Sequence, residues 1–200
     1  MIESESSLHR CYGCHARFTH QPELEYYRFA AIGRYGIAIP ECVAAYLEII
    51  AKESELFGYP PAHRLIVDAY AVQHPRRKEW QAKLKIEPRL ISASIQSVAC
   101  HLIALHLALE KQVPLLKIAG NMDHFLAVMT AQGVEFTELS PPENLGAFTV
   151  QTMKEVVTSE ALNLEKYHQA ALDWAKNAWD AWEAHHVTIR QWCKKYNGDT

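Results

Sequence analysis

The order of apolar and polar residues predicts amphipathic helices in the first half of the chain. Apolar side chains recur at three- and four-residue intervals in segments 40–57, 63–74 and 88–111, which is the periodicity of helices with one buried face. The Gly-Tyr-Pro-Pro run at 58–61 predicts a stop after the first helix. Pro75 predicts a stop after the second, because proline lacks a backbone donor and disfavours helical geometry in the residue before it.

The remaining segments complete a helical prediction. They are a charged surface loop at 76–87, a helix at 115–131, an irregular crossing at 133–148, a short helix at 149–158 capped by Thr149, and a long helix at 159–196. No segment alternates apolar and polar residues clearly enough to predict a strand. The predicted fold class is therefore mostly α, most simply an antiparallel helical bundle with an irregular N-terminal C-x-x-C segment.

Length and composition favour one globular domain. The chain has 200 residues, of which 49% are hydrophobic, so it can bury a substantial core. We predict a mobile tail at 1–8, where no periodic apolar signal appears, and a single helical domain at 9–200. The formal charge of -3, from 20 basic and 23 acidic residues, lacks the basic excess that nucleic-acid binding requires.

The sequence also argues against a membrane span and against secretion. No apolar run approaches the roughly 20 residues that cross a bilayer, and the first seven residues are acidic and polar where a signal peptide is basic and then apolar. The five cysteines, two of them in C-x-x-C, do not resemble a secreted disulfide framework. We therefore expect a cytoplasmic protein with reduced thiols or a metal site.

Cys11-Tyr12-Gly13-Cys14 is the strongest chemical signal near the N-terminus. Two thiolates at this spacing can grip one tetrahedral ion, and we predict that Cys11 and Cys14 bind zinc in a segment, 9–22, packed on the bundle. Two further ligands must come from the helical body or from nearby histidines. Those histidines are His9, His15 and His20. Two ordinary thiols are the alternative, whereas a redox pair is disfavoured because no βαβ setting is visible.

A second candidate site lies on the predicted helices. The segment 63–75 interleaves polar residues with dense apolar ones, so it is predicted to be buried with its polar groups satisfied. If it packs antiparallel against the next helix, His63 and His101 lie at similar numbers of residues from the turn that joins the two helices, and therefore at a similar height in the bundle. We predict that these two share an ion with His186, and that Asp68 orients a ligand histidine. The alternative is three separately satisfied core histidines.

The last predicted helix carries an aromatic stripe. Its members on one face are Trp179, Trp182, His186, Arg190 and Cys193. Either His185 or His186 can turn inward, and His186 is favoured because it shares its face with Arg190 and the tryptophans. A core-lining stripe with hydrogen-bonded histidines at its margin is the alternative.

Four blocks with chemical content follow one another along the chain. They are C-x-x-C at 11–14, H-R-L-I-V-D-A-Y-A-V-Q-H-P at 63–75, Q-S-V leading into H-L-I-A-L-H-L-A-L-E at 96–110, and W-E-A-H-H-V-T-I-R-Q-W at 182–192. In this order they resemble an uncharacterised bacterial domain family of unknown function, which implies no activity. The family pattern covers Cys11, Cys14, His63, Asp68, Gln73, His74, His101, Glu110, His185, His186 and Arg190. That family usually has C-x-x-C-G, whereas this chain has His15 there, which leaves open whether His15 adds a ligand.

The chain is also partly similar to the DinB-like metal-dependent bundles, which draw three histidines from different helices. Their closing H-x-x-x-H pair is absent, because Trp182 stands four residues before His186. The H-E-x-x-H, Gly-rich phosphate-loop and G-x-S-x-G motifs are absent as well.

Two functions remain open. The first is a metal-binding helical protein whose zinc ion is mainly structural, acting as a binding or adaptor module for a protein or small-molecule partner. The second is a metal-dependent hydrolase or transferase whose histidine-ligated ion keeps an open position. Four protein ligands would favour the first, and three ligands plus water the second.

Overall fold

The fold is mostly helical. The computed structural model describes residues 8–26, 38–75, 88–118, 127–128, 131, 133 and 135–196. Its helices of eight residues or more are α1 (Pro40–Phe57), α2 (His63–Gln73), α3 (Pro88–Leu109), α4 (Val150–Val157), α5 (Leu164–Ala181) and α6 (His186–Tyr196). The structure also has two short strands, β1 (Leu8–Arg10) and β2 (Arg17–Thr19), and 3-10 turns at Pro22–Tyr26 and Glu183–His185. The predicted fold class is confirmed.

Local sequence explains the ends of α1. Pro40 is its first residue, where the missing N–H costs nothing, and Ile39 before it is extended. Gly58 ends the helix with φ 62° and donates its N–H to the Ser54 carbonyl. That left-handed geometry favours glycine because it has no Cβ to clash. Helix bounds 40–57 were predicted from the sequence.

Helix α2 is the centre of the fold. It packs against α3 on one side and α5 on another, while α4 packs against both α1 and α5. Gln73, fully buried at the end of α2, donates its amide to the carbonyls of Leu145 and Phe148 at 2.9 and 2.8 Å and accepts from Trp174 Nε1 at 2.9 Å. This side chain fastens the irregular segment to the core, because it satisfies carbonyls that have no ladder partner.

The register between α2 and α3 differs from the sequence prediction. His101 meets Asp68, with Nδ1 to Oδ1 at 2.7 Å, and not His63. His63 lies five residues earlier, about 7.5 Å along the axis. Its Nδ1 bonds Glu53 of α1 at 2.6 Å. The sequence estimate failed because side-chain packing, not the distance back from the turn, sets the register.

The predicted helix 159–196 is two helices. Asn163 caps α5 by accepting from Lys166 N–H at 2.8 Å, so the helix begins at Leu164, five residues after the predicted start at 159. At Trp182 the backbone leaves helical geometry, and the fully buried indole donates to the Val72 carbonyl at 3.2 Å. The bend allows α6 to pack on α3 while α5 packs on α2.

The N-terminal strands were not predicted. Strands β1 and β2 pair antiparallel, with His9 opposite Phe18. Three residues are too few for an alternating pattern to stand out from the background. Strand β2 and the following 3-10 turn pack on α1.

Several predictions fall on residues outside the described ones. These are the tail, except for Leu8 in β1, the loop at 76–87 and most of the helix at 115–131, of which 115–118 is helical. The short helix capped by Thr149 and the irregular crossing are both observed. In the described part of the chain, no helix is both long and apolar enough to cross a membrane.

Candidate metal centre

The segment between β1 and β2 is a tight turn that gathers two thiols. Cys11 N–H donates to the Ala16 carbonyl at 2.9 Å, and His15 N–H donates to the Cys11 carbonyl at 3.1 Å. His15 has φ 62°, a left-handed conformation that closes the turn. Cys11 and Cys14 are both buried within it.

Gly13 lets this turn approach the end of α2. A Cβ built on Gly13 would overlap Cδ2 of His74 and lie 2.5 Å from the Gln73 carbonyl oxygen. Any side chain there would push the turn away from the helix. The glycine is therefore needed for close approach at this point.

Two more possible ligands come from the helical body. Cys42 is the third residue of α1 and is fully buried, and His74 follows the last residue of α2 and is 3% exposed. Together with Cys11 and Cys14 they form a group whose ligand atoms all lie within 4.8 Å of one another. These four residues, here called the Cys₃His cluster, are close enough to bind one metal ion.

The distances fit tetrahedral coordination. Cys14 Sγ and Cys42 Sγ are 3.8 Å apart, and Cys42 Sγ is 3.3 Å from His74 Nε2. Zinc bonds of about 2.3 Å to sulfur and about 2.0–2.1 Å to nitrogen place tetrahedral neighbours about 3.8 and about 3.6 Å apart. The cysteines are free thiols, and the sulfurs are too far apart for a disulfide.

A backbone carbonyl fixes the orientation of His74. Its Nδ1 is 2.7 Å from the Tyr70 carbonyl oxygen. A carbonyl only accepts, so Nδ1 carries the proton and Nε2 is the atom presented to the sulfurs. The Tyr70 ring stacks on Tyr46 at a centroid distance of 3.9 Å and lies tilted against His74 at 4.1 Å, and its hydroxyl lies 3.8 Å from Cys42 Sγ. The imidazole is therefore held before any ion binds.

The pKa shifts within the cluster favour the binding of a cation. Burial raises the pKa of Cys11, but hydrogen bonds from Cys14 and Cys42 and the charge of His74 hold it well below its ordinary value. Burial, together with Cys11 and Cys14, raises the pKa of Cys42 well above its ordinary value. Burial lowers the pKa of His74, yet charge interactions and hydrogen bonds with Cys11 and Cys14 raise it to about 10. A divalent ion would let all three sulfurs ionise and would replace the proton on His74 Nε2.

Cys42 lies in the first turn of α1, where the helix macrodipole places a partial positive charge. Three thiolates and one neutral imidazole would complete a four-coordinate shell around a bound ion. Chemically, such a shell holds an ion and leaves no position for water or substrate.

The predicted site residues fall into two sets. Cys11 and Cys14 are brought together with Cys42 and His74. His15 is not in this group, and the two further possible ligands lie on the helical body. Cys42 has no distinguishing pattern in the sequence, and His74 is marked there only as part of the family pattern.

The three bundle histidines each have a separate partner. His63 bonds Glu53, His101 bonds Asp68, and His186 Nε2 lies 3.0 Å from the Trp179 carbonyl, with its ring stacked on that indole. None of the three belongs to a group of three or more possible metal ligands among the described residues. Their shared ion remains a prediction from sequence alone.

Two finer predictions about these histidines can be compared with the geometry. Asp68 orients His101 and also accepts from Arg64 Nε at 2.7 Å. His186 is buried, whereas His185 is half-buried and bonds the Ser140 carbonyl at 2.8 Å. The inward histidine is the one that the sequence favoured.

A second group of possible ligands lies beside the Cys₃His cluster. It consists of His9, His20 and Glu41, and its ligand atoms also lie within 4.8 Å of one another. His20 Nδ1 is 3.1 Å and His9 Nδ1 3.5 Å from Glu41 Oε1. Glu41 is 3% exposed, while both imidazoles reach the surface.

Comparison with known proteins gives a family and no activity. One family, described as "Family of unknown function (DUF5946)", matches residues 9–183. No curated protein and no solved structure matches the chain.

Proposed function

The chain belongs to this family of unknown function, DUF5946, and because membership assigns no activity, we propose its function from the metal centre itself. We propose that the protein is a zinc-binding helical protein in which Cys11, Cys14, Cys42 and His74 hold one ion. The observation that carries the proposal is that these four buried side chains direct their ligand atoms to within 4.8 Å of one another.

Zinc is the proposed ion because of the donor set. Three soft thiolates and one imidazole in tetrahedral arrangement are typical of structural zinc sites. Hard cations such as Mg²⁺ and Ca²⁺ prefer six or more oxygen ligands. The 3.8 and 3.3 Å separations support the same choice.

The ion is proposed to be structural. It would join three segments that are far apart in sequence: the β1–β2 turn, the start of α1 and the end of α2. Four protein ligands leave no open coordination position, so this ion does not activate water. We therefore propose a non-catalytic role, as a binding or adaptor module for a protein or small-molecule partner.

The alternative is a hydrolase or transferase with a histidine-bound ion in the bundle. That function needs an ion with an open position. His63, His101 and His186 form no common ligand group in the described part of the chain, which leaves this alternative with less support than the closed cysteine shell.

The test is a double substitution, Cys11→Ser with Cys14→Ser. It should abolish stoichiometric zinc and lower the thermal midpoint, because metal affinity becomes folding free energy when a site joins segments. Cys193→Ser is the matched control, since Cys193 is a buried thiol outside the cluster. Full zinc and unchanged thermal stability in the double variant would overturn the proposal.

X-ray absorption at the zinc edge separates the two functions. With one equivalent of zinc bound, the structural proposal expects three sulfur neighbours at about 2.3 Å and one nitrogen at about 2.0–2.1 Å. A shell of nitrogen and oxygen with no sulfur would favour the hydrolase or transferase.

A further inference from the structure

The His9, His20 and Glu41 group, here called the His₂Glu group, is built on the same hairpin and helix as the Cys₃His cluster. His9 lies in β1 opposite Phe18, and His20 lies two residues beyond Phe18, so the two rings are diagonal neighbours with centroids 4.2 Å apart. Glu41 enters from the first turn of α1. Three separate segments thus direct two imidazoles and one carboxylate to the same point.

The Glu41 carboxylate is only half satisfied. Its Oε1 accepts from Gln21 N–H at 3.2 Å and from His20 Nδ1 at 3.1 Å. Its Oε2 is buried and has no hydrogen-bond partner among the residues that the structure describes. A buried carboxylate oxygen without a partner is costly, since the lost hydration is not replaced. A cation bound at the carboxylate would remove that cost.

The distances between these ligand atoms suit an ion. Two donor atoms that are each about 2.1 Å from one metal, at bond angles near tetrahedral, lie about 3.2–3.4 Å apart. The two Nδ1 atoms are 3.1 and 3.5 Å from Glu41 Oε1. The same separations accommodate imidazole-to-carboxylate hydrogen bonds, so geometry by itself does not decide between them. The buried, unpartnered Oε2 is the independent observation that favours an ion.

The His₂Glu group differs from the Cys₃His cluster in its access to solvent. The side chains of His9 and His20 are 43% and 32% exposed, whereas the Cys₃His ligands are buried. Three protein ligands on a solvent-facing surface leave at least one coordination position for water or for an oxygen atom of a substrate.

From these observations we propose that His9, His20 and Glu41 form a second metal site, which binds a divalent first-row transition ion with an open position. Two imidazoles and one carboxylate suit Zn²⁺, Fe²⁺ or Co²⁺. This site is separate from the structural zinc centre and would provide the exchangeable coordination position that the zinc centre lacks.

The two sites are connected through the chain. His9 is two residues from Cys11, and Glu41 is adjacent to Cys42. The ion in the Cys₃His cluster would hold the hairpin against α1 and so set the separation of His9 and His20 from Glu41. The second site therefore needs the first to be occupied, whereas the first does not need the second.

The experiment is a Co²⁺ titration of the metal-free full chain, followed by optical absorption. The first equivalent should give sulfur-to-cobalt charge-transfer bands, and a second equivalent should add ligand-field bands without further sulfur charge transfer. His20→Ala and Glu41→Gln should each lose the second equivalent and keep the first. Retained sulfur bands show that both variants are folded at the first site.

The matched controls are exposed residues of the same types. His168 and Glu160 lie outside both ligand groups, so the variants His168→Ala and Glu160→Gln should each bind two equivalents of Co²⁺. The inference is overturned if the wild-type chain binds no second equivalent, or if either test variant still binds it. Absence of the sulfur bands in the wild-type chain would instead contradict the zinc centre, so the two failures are distinguishable.

Discussion

At the scale of single residues, the metal centre depends on close contacts that few substitutions would preserve. His74 is held by one acceptor, the Tyr70 carbonyl, and its ring lies against the turn at Gly13. Because the turn and the imidazole touch, the size of residue 13 controls the separation of Cys11 and Cys14 from Cys42 and His74.

Gly13→Ala should weaken metal binding and destabilise the fold. The added methyl group overlaps His74 and lies close to the Gln73 carbonyl, and overpacking of this kind costs about 1–3 kcal/mol. Metal affinity, measured by competition with a chromophoric chelator, should fall at the same time.

Gly58→Ala is the control for this substitution. Gly58 has φ 62° and open space around the position of a Cβ, so alanine there costs roughly 1–2 kcal/mol of backbone strain without touching the metal centre. If both variants kept wild-type metal affinity, Gly13 would not be needed for the approach of the turn to His74.

Half of the Cys₃His cluster could be predicted from the sequence. Cys11 and Cys14 form a local pattern whose spacing reports their geometry. Cys42 and His74 lie 28 and 60 residues beyond Cys14, and their relation to it exists only in the folded chain. Two other ligands were expected from histidines or from the helical body, and periodicity alone could not choose between these sources.

At the scale of helices, apolar periodicity predicted most elements and missed the break at Trp182. The residues on both sides of the break continue a helical pattern, so nothing local marks it. The break is fixed by tertiary contacts, namely the burial of the Trp182 indole and its hydrogen bond to Val72. Where tertiary contacts compete with local preference, a single sequence does not show which will win.

The end of α3 and the beginning of α6 are joined by an ion pair that predicts a pH dependence. Arg190 donates to both carboxylate oxygens of Glu110, at 2.6 and 2.9 Å. These hydrogen bonds hold the pKa of Glu110 at about 2, below the ordinary 4.5. A depressed folded-state pKa stabilises the fold above the unfolded pKa, and the contribution is lost as pH falls through the folded one.

Glu110→Gln should therefore lower stability near neutral pH and reduce the loss of stability between pH 4.5 and about 2. The effect is expected to be small, because the pair is solvent-exposed and screened. Urea unfolding over that pH range measures it, with Glu160→Gln as the control. Equal pH slopes in wild type and Glu110→Gln would contradict the predicted linkage.

At the scale of the whole molecule, the proposed ion ties the N-terminal hairpin to two helices that already pack in the bundle. The register of that bundle could not be predicted, since it depends on which side chains meet across α2 and α3, as Asp68 and His101 do. The general architecture could be predicted, because a chain of this length that buries periodic apolar faces has few alternatives to a helical bundle. The central claim is that one ion completes this assembly.

Metal analysis of the full chain, purified without a histidine tag and dialysed, tests that claim most directly. Wild type and Cys193→Ser should each retain at least one zinc ion per chain, and Cys42→Ser should lose the thiolate-bound ion and melt at a lower temperature. Cys42 and Cys193 are both buried thiols, but only Cys42 lies in the cluster. Zinc-free wild-type protein that cannot be reconstituted, or Cys42→Ser with undiminished zinc and melting temperature, would contradict the account.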